Sequence, residues 1–133
     1  MSNQKISSSD IEILMKAREL GWFENPRQCN FNQIAESLNM NRTTFAEIYH
    51  RAEKFVMKQW FIAGGLLKDD GRGFDTRAKQ QWLRKAIQMG YYENPSQVGI
   101  SELYDAMGAA REPTNQHLSC AENEVWMEYF LSI

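Results

Sequence analysis

Phe31-Asn32-Gln33-Ile34-Ala35-Glu36-Ser37-Leu38-Asn39-Met40-Asn41-Arg42-Thr43-Thr44-Phe45-Ala46-Glu47 decides the fold of this chain. Asn30 and Gln33 stand at capping-box spacing, which starts a short helix. Ile34, Ala35 and Leu38 form its apolar face. Asn39 is one of the few non-glycine residues that tolerates positive φ, so it suits a tight turn. Asn41 is then a good N-cap for a second helix. Phe45, Ile48, Tyr49, Ala52, Phe55, Val56 and Trp60 trace one apolar stripe along it. The opposite face carries Arg42, Thr43, Glu47, His50, Arg51, Lys54 and Lys58. This helix is expected to run to residue 60 or beyond.

Upstream, Ser9-Asp10-Ile11-Glu12 also has capping-box spacing, and residues 1–8 are expected to fray. Ile11, Leu14, Met15, Arg18 and Leu20 follow with helical spacing. Gly21 is a natural stop, and Pro26 prevents an early restart. Trp22 and Phe23 are expected to fold down over the core from this connection. A supporting helix, a second helix, a tight turn and a third helix make a helix-turn-helix arrangement.

The pattern occurs twice. Residues 13–58 and 82–127 are related at an offset of 69 positions. Leu20-Gly21-Trp22-Phe23-Glu24-Asn25-Pro26-Arg27-Gln28 returns as Met89-Gly90-Tyr91-Tyr92-Glu93-Asn94-Pro95-Ser96-Gln97. Asn39 has Gly108 as its counterpart, and both suit the same unusual backbone. Two copies are too few for a solenoid, so two small tandem domains fit better. In the second copy, Ala78, Trp82, Ala86 and Met89 are expected to line the first helix. Ile100, Leu103, Tyr104 and Met107 would line the next, and Leu118, Ala121, Val125 and Tyr129 the last. Residues 62–73 hold four of the eight glycines and read as a connection. The expected organisation is a flexible 1–8, a domain over 9–61, a linker over 62–74 with Asp75 as the next N-cap, and a divergent domain over 75–133. The fold class is all-α, with a short hairpin at 62–74 as the one alternative.

Composition narrows the function. With 43% hydrophobic residues, the chain can fill a core, and a net charge of −2 makes it no polycation overall. The N-terminus has no apolar run of a signal peptide, and no stretch approaches the roughly 20 residues that span a bilayer. These features lead us to expect a cytoplasmic protein without a membrane partner. Cys29 and Cys120 form no CxxC pair and read as reduced, half-buried fillers. His50 and His117 stand apart and make no metal site. No nucleophile–base set or phosphate-binding glycine motif suggests catalysis, and no cofactor is expected.

Three segments carry a more specific likeness. They are Gly21-Trp22-Phe23-Glu24-Asn25-Pro26-Arg27, the stretch Phe31 to Glu47, and Arg51-Ala52-Glu53. Together they resemble the bacterio-opsin activator type of archaeal helix-turn-helix domain. Its pattern is a glycine–aromatic–Pro-Arg segment, a helix ending in A-E-x-L-G, and a helix closing on Arg-Ala-Glu. The likeness covers about residues 9–58. The second copy keeps Gly90, Tyr91, Tyr92, Pro95, Gln116-His117-Leu118 and Ala121-Glu122. The resemblance implies a transcription regulator that binds promoter DNA. Ala109-Ala110 replace the polar cap in the second copy and Pro113 enters its first turn, so its third helix starts differently.

Charge separates the two third helices. Residues 42–58 hold four cations against Glu47 and Glu53, a net +2. Residues 111–127 hold Arg111 against Glu112, Glu122 and Glu124, a net −2. Contact with phosphate needs cations, so the first copy is the expected reader of double-stranded DNA. Thr43, Thr44 and Glu47 are placed near bases, because Glu accepts from the cytosine amino group and Thr meets the thymine methyl. Arg42, His50, Arg51 and Lys54 are placed on phosphates. The second copy would then serve another purpose, such as homodimerisation or protein docking, through an apolar patch of Trp126, Met127, Tyr129 and Phe130. The competing reading is a protein-interaction adaptor that keeps the scaffold and has lost DNA binding.

Overall fold

A computed structural model describes residues 6–24, 27–67, 76–94, 96–108 and 111–132, with the backbone alone at 76–78, 107 and 111–117. Those residues form six helices and no strand: α1 (Ser8–Glu19), α2 (Phe31–Ser37), α3 (Arg42–Ile62), α4 (Thr76–Met89), α5 (Ile100–Met107) and α6 (Arg111–Ser132). The chain divides into two compact units, Met1–Phe55 and Val56–Ile133, with the division falling inside α3.

Local chemistry sets most helix ends. Asn30 Oδ1 accepts from Gln33 N while Asn30 N donates to Gln33 Oε1, both at 2.9 Å, so the expected capping box closes α2. Asn41 caps α3 by accepting from Thr43 N at 2.8 Å. α1 departs from expectation, because Ser7 rather than Ser9 is its N-cap. Ser7 is extended (φ −65°, ψ 155°) and its hydroxyl accepts from Asp10 N at 3.2 Å. That register puts Asp10 in the first turn, where its charge meets the positive end of the helix.

The turn between α2 and α3 is the decisive piece of backbone. Asn39 has φ 54°. Its N–H donates to Glu36 O and Met40 N–H donates to Ala35 O, a left-handed close that returns the chain at once into Asn41 and α3. Gly108 ends α5 with φ 61° at the matching place. The fourth helix's N-cap, expected at Asp75, lies outside the described residues, as do Ala109 and Ala110. α6 begins at Arg111, which places Pro113 in its first turn, where a missing N–H has no helical acceptor to lose.

In the first unit Leu14, Ala17, Trp22, Phe23, Ile34, Ala35, Phe45, Ile48, Tyr49 and Ala52 are buried. Trp22 is the hub, with ring centroids at 4.7 Å from Phe31 and 5.4 Å from Tyr49. Phe31 and Phe45 meet edge-on at 5.6 Å. Each such pair adds about 0.5–1.5 kcal/mol beyond area burial, and together they fix α3 against α2.

The second unit keeps part of this plan. Leu83, Ala86, Leu103, Ala121 and Val125 are buried at the positions of Leu14, Ala17, Ile34, Ala52 and Val56. Of the expected stripe Ala86 is buried, Trp82 and Met89 are only half-buried, and the Ala78 side chain lies outside the described ones; Lys79 and Leu83 join Ala86 on the inner face of α4. The reason is that Lys79, though charged, is neutralised inside: its ammonium lies 2.5 Å from Glu124 Oε1 on α6, with the lysine side chain 0% exposed. The 62–67 segment is pinned within this unit. Trp60 Nε1 donates to Leu66 O at 3.1 Å, Arg84 donates to Gly64 O at 2.5 Å, and Leu67 N donates to Gln80.

The expected C-terminal apolar patch is not exposed. Trp126 and Phe130 are buried and stack at 5.6 Å, while Met127 and Tyr129 are half-buried. Apolar and polar residues are scattered around α6 without a single stripe, and Trp126 and Phe130 enter the unit instead of facing outward. A groove of about 310 Å³ in this unit is lined by Val56, Gln59, Trp60 and Ala63 of the α3 segment. Opposite stand Val125, Glu128, Tyr129 and Ser132 of α6, each the 69-offset counterpart of one of those four.

Candidate nucleic-acid interface

The candidate surface is the outer face of α3 in the first unit. Arg42, Thr43, Thr44, Glu47, His50, Arg51 and Lys54 are all exposed. At about 100° per residue, Thr43, Glu47, His50, Arg51 and Lys54 fall within an arc of about 100°, and Thr44 lies just beyond it. Arg42 stands apart, about 80° outside that arc on the His50 side, at the first residue of the helix. Behind this face the buried Phe45, Ile48, Tyr49 and Ala52 anchor the helix to the core. The start of α3 also offers the positive end of a long helix to an anion.

Three details go beyond periodicity. Arg51 Nη2 lies 2.9 Å from Asp10 Oδ2 of α1, with the arginine side chain 67% exposed. The pair holds the guanidinium at the edge of the face and sets Asp10 in competition with phosphate for it. His50 Nδ1 is 3.9 Å from Glu53 Oε1, and Glu53 is largely buried. A hydrogen bond from His50 to Glu53 raises the imidazole pKa above its ordinary value, with partial burial and the nearby charge of Arg27 opposing. His50 is thereby biased towards the cationic form that a phosphate would prefer.

Arg27 is the residue that sequence reasoning did not place in the site. Its guanidinium lies 3.8 Å over the Trp22 ring, and Nη2 donates to Tyr49 Oη at 3.3 Å. Stacking and hydrogen bond fix an exposed cation beside the α3 face, close enough that its charge acts on His50. The signal was present as the Arg closing the aromatic–Pro-Arg segment, but only the fold shows where it points. Pro26 lies outside the described residues.

Among the described side chains, the second repeat does not offer the same surface. The counterparts of Arg51 and Lys54 are Cys120 and Asn123, and both are buried. The counterpart of Phe55 is Glu124, which holds Lys79. Tyr92 donates to Glu122 Oε2 at 2.5 Å, where the first repeat has Phe23 and Glu53. The aromatic hub is missing too: Ile100, Thr114 and Leu118 stand in place of Phe31, Phe45 and Tyr49.

Among the described residues no group of His, Cys, Asp and Glu could hold a metal ion, and no helix is long and apolar enough to cross a membrane. Both cysteines are reduced, and burial raises the Cys29 thiol pKa, which keeps it protonated.

Comparison with known proteins agrees with this architecture. The chain is similar to the Transcriptional regulator NarO of Haloferax volcanii, at 36% identity over 57 residues. That stretch covers 43% of this chain and 27% of the other protein, so the chain matches about a quarter of its curated relative's length. No solved structure matches the chain significantly. Two segments, residues 6–58 and 76–126, match the family model described as an HTH DNA binding domain. Since those two segments cover well over half of the sequence, the chain belongs to the HTH DNA binding domain family of the bacterio-opsin activator type, in two tandem copies.

Proposed function

We propose that this protein is a transcription regulator that binds double-stranded DNA in a sequence-specific manner, with α3 of the first repeat entering the major groove. The observation that carries this reading is the cationic, exposed outer face of α3, whose Arg51 and Lys54 have buried, uncharged counterparts in α6, Cys120 and Asn123. Thr43, Thr44 and Glu47 at the start of that face are the base-reading residues. Arg42, His50, Arg51 and Lys54 neutralise phosphates, and Arg27 joins them from the loop before α2. The transcriptional role rests on the similarity to NarO, a transcriptional regulator by its name.

The test is selection from random duplex DNA on the full chain, followed by titration of the selected site at several salt concentrations. Arg51→Ala and Lys54→Ala should each weaken binding of all sequences alike and lower the salt slope by about one charge. Unchanged affinity and slope in both variants would remove α3 from the interface.

A second reading has one observation in its favour. The third helix of the second repeat is net acidic over 111–127, and Cys120 and Asn123, the counterparts of Arg51 and Lys54, are buried. This repeat is built for stability or for a protein contact. If the full chain selects no duplex sequence, the adaptor reading replaces the regulator.

A further inference from the structure

In the first unit, residues at the start of α1 and along α3 line a cavity of about 440 Å³, a size that suits a small organic ligand. Ile6, Phe55 and Ala52 give it apolar walls. Asp10, Arg51 and Lys54 converge on it with a summed charge of +1, and Ser7 places it at the positive end of α1. Two of these groups, Arg51 and Lys54, also belong to the outer face of α3.

The second repeat handles the same register differently. Asp10, Arg51, Lys54 and Phe55 become Lys79, Cys120, Asn123 and Glu124. There Glu124 meets the fully buried Lys79 at 2.5 Å, and Cys120 and Asn123 are buried. Both copies thus place a carboxylate–cation pair between their first and third helices: in the second it is buried, while in the first Asp10 and Arg51 pair at 2.9 Å on the wall of an open cavity that also has apolar walls.

We propose that this cavity binds a small organic acid, an apolar body bearing one carboxylate, and that the bound acid opposes DNA binding. The carboxylate would lie beside Lys54 and Arg51, in competition with Asp10, and the body would rest against Phe55 and Ile6. An acid there occupies two of the cations assigned to phosphate, so ligand and DNA compete, and each weakens the other by the same factor. The coupling rests on the DNA-binding reading, whereas the site itself does not.

Phenylacetate and its uncharged analogue phenylacetamide are the probes. In the ¹⁵N-labelled full chain, phenylacetate at millimolar concentration is expected to shift the amide signals of Asp10, Arg51, Ala52 and Lys54 saturably. Phenylacetamide is expected to bind at least about tenfold more weakly, since a charge-assisted bond is lost. Ile6→Glu, which adds a carboxylate to the wall, should weaken the acid about tenfold, and Asp10→Asn should tighten it. Absence of saturable shifts at those residues, or equal binding of acid and amide, overturns the site. Saturating acid should also lower affinity for the selected duplex several-fold, and unchanged affinity overturns the coupling. A chain that binds no duplex even without acid refutes the regulator reading instead, while the amide shifts still decide the site.

Discussion

α3 and α6 descend from one pattern, yet the structure puts their corresponding faces to opposite uses. On α3 the positions of Arg51 and Lys54 point outward and carry charge. On α6 the same positions hold Cys120 and Asn123 and point inward. The first unit takes its rigidity from an aromatic hub, Trp22, Phe31, Phe45 and Tyr49, which leaves the outer face of α3 to charged groups. The second unit lacks that hub and draws on polar pairs instead, Lys79 with Glu124 and Tyr92 with Glu122. The charged groups that α6 engages inside its unit are carboxylates, Glu122 and Glu124, so net charge and burial change together between the repeats.

The largest test of that contrast is Lys79→Met. It leaves the Glu124 carboxylate inside without its ammonium, a change that typically costs about 3–5 kcal/mol. Urea unfolding should show the loss, and the double variant Lys79→Met with Glu124→Leu should recover most of it. Asp10→Ala breaks the exposed pair of the first unit and should cost no more than about 1 kcal/mol. Equal effects of Lys79→Met and Asp10→Ala would mean the two ion pairs do the same job.

Next comes the backbone. Gly21 and Gly108 both have positive φ, a conformation that costs an L-residue about 1–2 kcal/mol. A methyl on Gly21 would also sit 2.6 Å from Gln28 Cβ, while one on Gly108 meets open space. Gly21→Ala should therefore lower the melting temperature clearly more than Gly108→Ala. Similar shifts would show that the loop over Trp22 yields freely and does not hold the hub.

How much of this was legible in the sequence follows from how far each partner lies along the chain. The caps at Asn30 and Asn41 and the turn at Asn39 are local, made within three residues, and the sequence announces them. The exposure of the α3 face was legible as well, because helical periodicity separates it from the apolar stripe. The start of α1 was not, since four candidate residues, Ser7 to Asp10, stand in a row and only backbone geometry selects Ser7. The burial of Lys79 was not legible either, because its partner lies 45 residues away. The same applies to Asp10 and Arg51, 41 residues apart, and to Arg27 over Trp22, where the loop's path decides. Trp126 and Phe130 misled because apolar and polar residues are mixed on all sides of α6, so no periodicity tells inward from outward.

Base reading gives a smaller effect confined to one repeat. Glu47→Ala should cost about 1–3 kcal/mol on the selected duplex and relax the choice of base at a single position. Its counterpart substitution, Gln116→Ala, should leave affinity and selectivity unchanged. Loss of affinity in Gln116→Ala would mean that both repeats engage DNA, and that the acidic balance of α6 is no barrier.

The smallest effect is a pH dependence peculiar to the first repeat, since Ser119 stands where the second would have His50. The hydrogen bond to Glu53 raises the folded-state pKa of His50 above its ordinary value of about 6.5. Protonated His50 adds one cation to the α3 face, so affinity for DNA should be highest at acid pH. It should fall as pH rises through the folded pKa, by no more than one phosphate contact. The same shift stabilises the fold below about pH 6.5, and that contribution is lost as pH rises through the folded value. Because His50 is exposed, the stability change should be slight and the binding change the easier to see. Glu53→Gln removes the carboxylate acceptor and should move the binding midpoint to lower pH, and His50→Gln should abolish it. A binding midpoint that ignores Glu53→Gln would detach the titration from this pair, and with it the idea that a buried acid tunes the reading face.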